Sequence, residues 1–198
     1  MQTLLRVSRL IDGLSERLGR LSGWLIIVMI LIGLYNVVVR YFGRFIGRTL
    51  ASNTYIELQW YLFSITFLLG FAYVLKHNQN VRVDFLYAQW SPRRRNLINL
   101  VGNLLFLVPF CIMGIGVALN PVLFSWGMLP DGSWGTWEIS PDAEGLPRAP
   151  IKSMIIVGFV LLLLQAISEI IKQVAALADP AAARLEQPAE EYQAARVE

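Results

Sequence analysis

Hydrophobic and polar positions alternate along this chain on the scale of whole segments. Four long apolar runs, about residues 21–39, 55–75, 97–119 and 151–171, are separated by shorter polar stretches. A lipid core of about 30 Å needs roughly 20 apolar residues in a helix, because backbone groups in lipid must be satisfied within the segment. The pattern therefore predicts an all-α integral membrane protein with four transmembrane helices. The first and fourth runs are nearly unbroken Leu, Ile, Val and Met, whereas the third is interrupted by Asn99, Asn103 and Pro109.

Between the runs the period changes. In the lead-in of residues 1–20 and into the first span, Leu4, Val7, Ile11, Leu14, Leu18 and Leu21 recur at helical spacing, with Arg6, Arg9, Glu16 and Arg20 largely on the other side. This predicts an amphipathic lead-in helix that lies on the inner membrane surface or docks on another subunit. Val83, Leu86, Tyr87 and Trp90 share a helical face, so residues 81–91 are expected to form a short interfacial helix. Ser91 and Pro92 then read as the N-cap and first position of the third span. Residues 120–150 hold five prolines with Trp126, Trp134 and Trp137, so they cannot form a continuous helix and are expected as a loop on the outer, periplasmic face. Beyond Lys172 the composition turns polar, Asp179-Pro180 ends the last helix, and 173–198 reads as a polar cytoplasmic tail.

Composition agrees with this division and narrows the chemistry. Of 198 residues, 56% are hydrophobic and only 16% charged, with a mean hydropathy of +0.53. The single Cys excludes an intrachain disulfide, and the single His excludes bis-histidine haem ligation within one chain. No catalytic residue, cofactor or metal site is expected. The net charge of +3 is spread between apolar runs, so it reads as topology information and not as a nucleic-acid surface. With the N-terminus inside, twelve Lys and Arg residues fall on the inner side and five (Arg40, Arg44, Arg48, Arg148 and Lys152) outside. Both termini are thus expected in the cytoplasm. The first run is expected to be a retained anchor: twenty residues precede it and Val39-Arg40-Tyr41-Phe42 lacks a small-residue cleavage pattern.

Polar side chains inside the spans need partners. Glu57 completes Thr54-Tyr55-Ile56-Glu57, a capping-box pattern in which the glutamate bonds back to the N-cap amide. Asn96, Asn99 and Asn103 form a stripe on the third run. Gly33, Asn36 and Arg40 form another on the first, and Gly158, Gln165, Glu169 and Lys172 one on the fourth. Interhelical amide bonds of this kind are worth about 0.5–2 kcal/mol each. They mark Asn36, Glu57, Asn99, Asn103 and Gln165 as helix-contact residues toward a partner subunit. Cys111 reads as a small buried apolar residue and His77 as interfacial. Trp134, Trp137 and Arg148 mark the outer segment as a receptor-side loop.

The stretch from Glu57 through Trp60, Gly70 and Lys76 to Asn80-Val-Arg82-Val-Asp84, followed by Pro92, resembles the small membrane subunit of tripartite ATP-independent periplasmic (TRAP) transporters, the DctQ-like small permease. In that family an acidic residue opens the second helix, a glycine falls late in it, and a basic turn leads to a His-Ile/Val-x-Val-Asp sequence. Asn80 stands here where the histidine is usual. Gly145-Leu-Pro147-Arg148-Ala-Pro150-Ile-Lys152, with Gly158 and Gln165 after it, is similar to the branch with an enlarged outer loop. The resemblance covers roughly residues 21–172. It implies a bacterial inner-membrane complex in which this chain scaffolds a large multi-spanning subunit, beside a periplasmic solute-binding receptor, for sodium-driven uptake of an organic anion such as a carboxylate. The partners it implies are those two proteins and the lipid bilayer. From a different class, a membrane redox subunit or a stand-alone small carrier fits the four spans, and the lone His77 weighs against the former.

Overall fold

The structure, a computed structural model, describes residues 2–47, 52–79 and 90–178. Among these residues the regular elements are all helices, four of them long and apolar enough to cross a membrane. They are α1 (Gln2–Ile46), α2 (Asn53–Lys76), α3 (Pro92–Ser125) and α4 (Arg148–Ala178). Each contains one of the expected spans and runs past it. The largest extension is α1, whose 45 residues reach about 68 Å. The lead-in segment is continuous with the first span, so it is not a separate helix. The interfacial helix expected at 81–91 falls mostly outside the described residues, as does the tail beyond Ala178.

The helices alternate in direction and pack around α4, with α1 and α3 antiparallel to it and α2 parallel. Along α1 and α2, Glu16 meets Lys76 at 2.5 Å, the Tyr73 ring covers Gly19, and Tyr35 meets Tyr55 edge to face with centroids 5.2 Å apart. On α4, Ser168 reaches Ser8 of α1, Gly158 receives Leu68 of α2, and Phe159 lies over Gly114 and beside Phe110 of α3. Contacts of α3 with other helices are concentrated on α4. Residues 2 and 178 therefore lie on one face, here the terminal face, and the segment between α3 and α4 lies on the opposite, loop face.

The interior is built from small and polar residues. Ser8, Ser15, Ser22, Asn36 and Gly43 are buried along α1 at steps of seven or fourteen. Such a seven-residue repeat keeps one seam of a left-handed supercoil against its neighbours. Leu4, Val7, Leu10, Leu14 and Leu21 are exposed. The lead-in is thus amphipathic in the opposite sense from a soluble helix: its serines face the bundle and its leucines face outward. Lipid is as apolar as leucine, so packing and hydrogen bonds, and not hydrophobic burial, decide which side turns in.

α3 carries a π turn at Asn103–Leu107, with the Val108 amide bonded to the Asn103 carbonyl. Pro109 follows at once. Proline lacks an N–H and crowds the carbonyl four residues earlier, and the wider turn takes up that mismatch without ending the helix. Ser91 stands at the N-cap with Pro92 in the first turn, although the serine hydroxyl makes no cap hydrogen bond.

Candidate functional site

Three polar regions stand out. On the terminal face, α1 and α4 share a network centred on Gln165, which is fully buried. Ser15 Oγ donates to Gln165 Oε1 at 2.6 Å. Gln165 Nε2 donates to Asp12 Oδ1 at 2.9 Å and to Glu169 Oε1 at 3.0 Å. Ser168 Oγ donates to Asp12 Oδ1 at 2.8 Å, and Lys172 bridges Asp12 and Glu169 at 3.2 and 2.5 Å. One turn along α1, Glu16 holds Lys76 and stands 2.9 Å from His77 Nε2. Three helices are thereby cross-linked at one level of the bundle.

On the loop face, two carboxylates hold irregular chain. Glu57 accepts from Ser140 Oγ and, at 2.5 Å, from the Leu146 amide. The expected capping box is not formed. Ser52, two residues before Thr54, is the N-cap and accepts from the Thr54 amide. Thr54 Oγ1 instead donates to the Glu144 carbonyl at 2.6 Å. The short-range partner loses because the loop brings a hydroxyl and an amide to the glutamate from more than 80 residues away. Glu138 accepts from Ser125 Oγ at 2.6 Å and Lys152 Nζ at 2.5 Å. The Lys152 bond, supported by Ser125, holds the Glu138 carboxyl below its ordinary value.

The loop starts from a left-handed residue. Gly127 (φ +96°) ends α3 with its amide on the Phe124 carbonyl and the Met128 amide on the Leu123 carbonyl, a Schellman ending. A Cβ there would stand 2.7 Å from the Gly135 carbonyl oxygen. Trp126 packs edge to face on Trp137 at 4.8 Å and donates to Ser153 Oγ at 2.7 Å. Trp134 and Trp137 remain 64% and 53% exposed.

The third region is a groove of about 680 Å³ between α2 and α3, floored by α4. Asn99 and Asn103 line it with Thr66, Gly70, Glu169 and Gln173, and Asn103 Nδ2 donates to Gln173 Oε1 at 3.2 Å.

A family model described as "Tripartite ATP-independent periplasmic transporters, DctQ component" matches residues 29–176. The chain belongs to this family. No curated protein and no solved structure was found to match. As a DctQ component it is a multi-pass membrane part of a TRAP transporter, which agrees with its four apolar helices.

The residues expected to meet a partner divide in this DctQ chain. Asn36, Glu57 and Gln165 are 6%, 7% and 0% exposed. Glu57 and Gln165 are engaged within the chain, while Asn36 Oδ1 is buried without a hydrogen-bond partner. Asn99 and Asn103 open on the groove. Trp134 and Trp137 lie on the exposed loop surface, and Arg148 points back, its Nη2 3.4 Å from Ser140 Oγ. Cys111 is fully buried, in line with its reading as a small apolar residue. Sequence reasoning missed Asp12, Ser15 and Ser168, and also Glu138 and Ser140. The steps of seven from Ser8 to Ser15 to Ser22 could have revealed the first group. The loop pair leaves no periodic signal.

Proposed function

We propose that this DctQ component is the fixed membrane scaffold of its transporter. It braces the large substrate-translocating subunit and helps dock the solute receptor, for sodium-driven uptake of an organic anion. The supporting observation is the inverted distribution of side chains. The polar groups that join the helices are mostly spent on one another, while Trp24, Phe45, Phe106 and Val117 stand 68%, 89%, 74% and 71% exposed. A body tied together internally and apolar outside suits a rigid frame against which a mobile neighbour slides.

By the excess of Lys and Arg, the terminal face is the cytoplasmic one and the loop face the periplasmic one. The Trp134 and Trp137 surface then lies where a periplasmic receptor arrives, and Arg148 anchors the loop that carries it. Asn99 and Asn103 line the groove on the side of the contact with the large subunit, with Asn36, Glu57 and Gln165 shaping that contact from within.

Co-purification tests the reading. Tagged chain, expressed with the products of adjacent genes, is expected to retain a many-spanning partner through size exclusion. Elution alone at equal expression would refute the scaffold role.

A further inference from the structure

The segment between α3 and α4 is built as two turns on either side of an apolar ridge. An antiparallel bridge between Met128 and Trp134 closes the first turn, and one between Ile139 and Pro147 closes the second. In the first, the Leu129 amide donates to the Ser133 carbonyl at 2.8 Å and the Gly132 amide to the Leu129 carbonyl at 2.9 Å. Asp131 stands at its tip and accepts from the Ser133 amide and hydroxyl at 3.0 and 2.7 Å. The hydroxyl bond, supported by the amide, holds the Asp131 carboxyl below its ordinary value. In the second turn the Gly145 amide donates to the Asp142 carbonyl at 3.0 Å, and Glu144 accepts from the Ser52 hydroxyl at 2.6 Å. Between the turns run Trp134, Trp137 and Ile139, all exposed, with exposed Leu129 near Gly135.

The two sides of this segment differ in chemistry. Toward the helix ends its polar groups are spent: Glu138 on Ser125 and Lys152, Trp126 on Ser153, and Ser140 with Leu146 on Glu57. Ser52, Asn53 and Thr54 tie the second turn across the start of α2. The segment therefore spans the ends of α2, α3 and α4. What it leaves exposed is the apolar ridge between acid tips, Asp131 on one side and Asp142 with Glu144 on the other. Residues 126–147 hold four acids and no Lys or Arg. The two cations that follow, Arg148 and Lys152, turn to Ser140 and Glu138, and Arg40 and Arg44 belong to the last turns of α1.

This charge pattern chooses among neighbours. Segments that rest on lipid set Lys and Arg beside their aromatic residues, because anionic headgroups attract them; an acid-tipped ridge gains nothing there. A partner within the bilayer meets the sides of helices, whereas this ridge lies across their ends. A soluble protein with Lys and Arg around an apolar centre satisfies both the ridge and the tips. The turns are closed by their own hydrogen bonds, so docking orders little additional chain.

Resting on the receptor-docking reading above, we propose that this surface meets a basic-rimmed apolar patch on the solute receptor, with the two acid-tipped turns steering the approach and Trp134 seated at the centre of the patch.

The test measures binding of ligand-loaded receptor to the full transporter in nanodiscs of phosphatidylcholine and phosphatidylglycerol. Sodium is held constant, and choline chloride takes the ionic strength from about 0.01 to about 0.15 M, which shortens the screening length from about 30 to about 8 Å. Asp131→Asn, Asp142→Asn and Glu144→Gln together are expected to slow association about tenfold at low ionic strength and to remove most of its salt dependence. Asn and Gln still accept the Ser133 and Ser52 bonds, so tryptophan emission should stay native. Should it shift, Asp142→Asn alone decides, because Asp142 joins its turn through its backbone; about a twofold slowing is expected for that single charge. Trp134→Ala is expected to leave association unchanged and to speed dissociation about tenfold, as for a central aromatic anchor. Native association and salt dependence in the charge variants, with binding still weakened by Trp134→Ala, would overturn the basic rim and leave receptor docking standing. Native binding in every variant would overturn docking on this surface altogether. Loss of the large subunit from the triple variant on size exclusion would assign the acids to that subunit and overturn the receptor contact.

Discussion

The two ends of the bundle use carboxylates for opposite purposes. On the terminal face Asp12, Glu16 and Glu169 join helix to helix through side chains alone, with Gln165 at the centre. On the loop face Glu57 and Glu138 bind two hydroxyls, an amide and an ammonium to shape chain that has no regular structure. In the first arrangement the partners are fixed by helix register, so losing one strands the others. In the second the backbone of 126–147 depends on anchors at a few points, so loss loosens a loop and leaves the spans in place.

Several substitutions would break or sharpen this contrast. Lys172→Met leaves Asp12 and Glu169 without their shared cation, and removing one partner of a partly buried ion cluster costs about 3 kcal/mol. Unfolding in mixed micelles followed by circular dichroism should show it as a global loss; an unchanged midpoint would mean that the network contributes nothing to helix assembly. Gly127→Ala forces a Cβ into the left-handed turn and onto the Gly135 carbonyl, at a cost of about 2 kcal/mol confined to the loop. Limited proteolysis should then cut faster between 126 and 147, with the circular dichroism midpoint little moved.

Acid should separate the ends further. The Glu138 carboxyl is held low in the folded loop. Its contribution is therefore fully present above the ordinary carboxylate value of 4.5 and is lost as pH falls through the lowered one. Tryptophan emission from Trp126 and Trp137 should shift over that acid range in the native chain. Glu138→Gln should remove the part of the shift that belongs to this carboxylate, and an identical curve would detach Glu138 from the transition. The smallest stability effect is expected for Trp134→Ala with Trp137→Ala, within about 0.5 kcal/mol for the exposed Trp134 and slightly more for Trp137, which packs on Trp126. Receptor-dependent uptake should nonetheless weaken; unchanged uptake at equal expression would count against receptor docking on this surface.

The spans were legible because lipid imposes a minimum apolar length that four segments meet without ambiguity. The inward side of α1 was not, because the leucine stripe of 4–21 obeys the rule for a protein in water, whereas here Ser8, Ser15 and Ser22 pack inward. Glu57 misled for a different reason. A capping pattern is local, and its competitor, the Ser140 hydroxyl with the Leu146 amide, depends on how the distant loop closes. Asn99 and Asn103 were recognisable as a stripe, but the groove they line requires knowing that α3 leans on α4 and stands apart from α2.

The π turn of α3 also sets how the gene for such a chain can be edited. Its bond from the Val108 amide to the Asn103 carbonyl encloses one residue more than an α turn. A one-residue deletion within 103–107 would restore ordinary α geometry, but Pro109 would then crowd a carbonyl it now avoids. Conversely, replacing Pro109 alone would remove the reason for the wide turn and tempt the helix to rewind. A rewound helix would turn the Cys111, Gly114 and Val122 face by about 100° away from α4. The extra residue and the proline thus form a linked pair, and a sequence that loses one is expected to have lost the other.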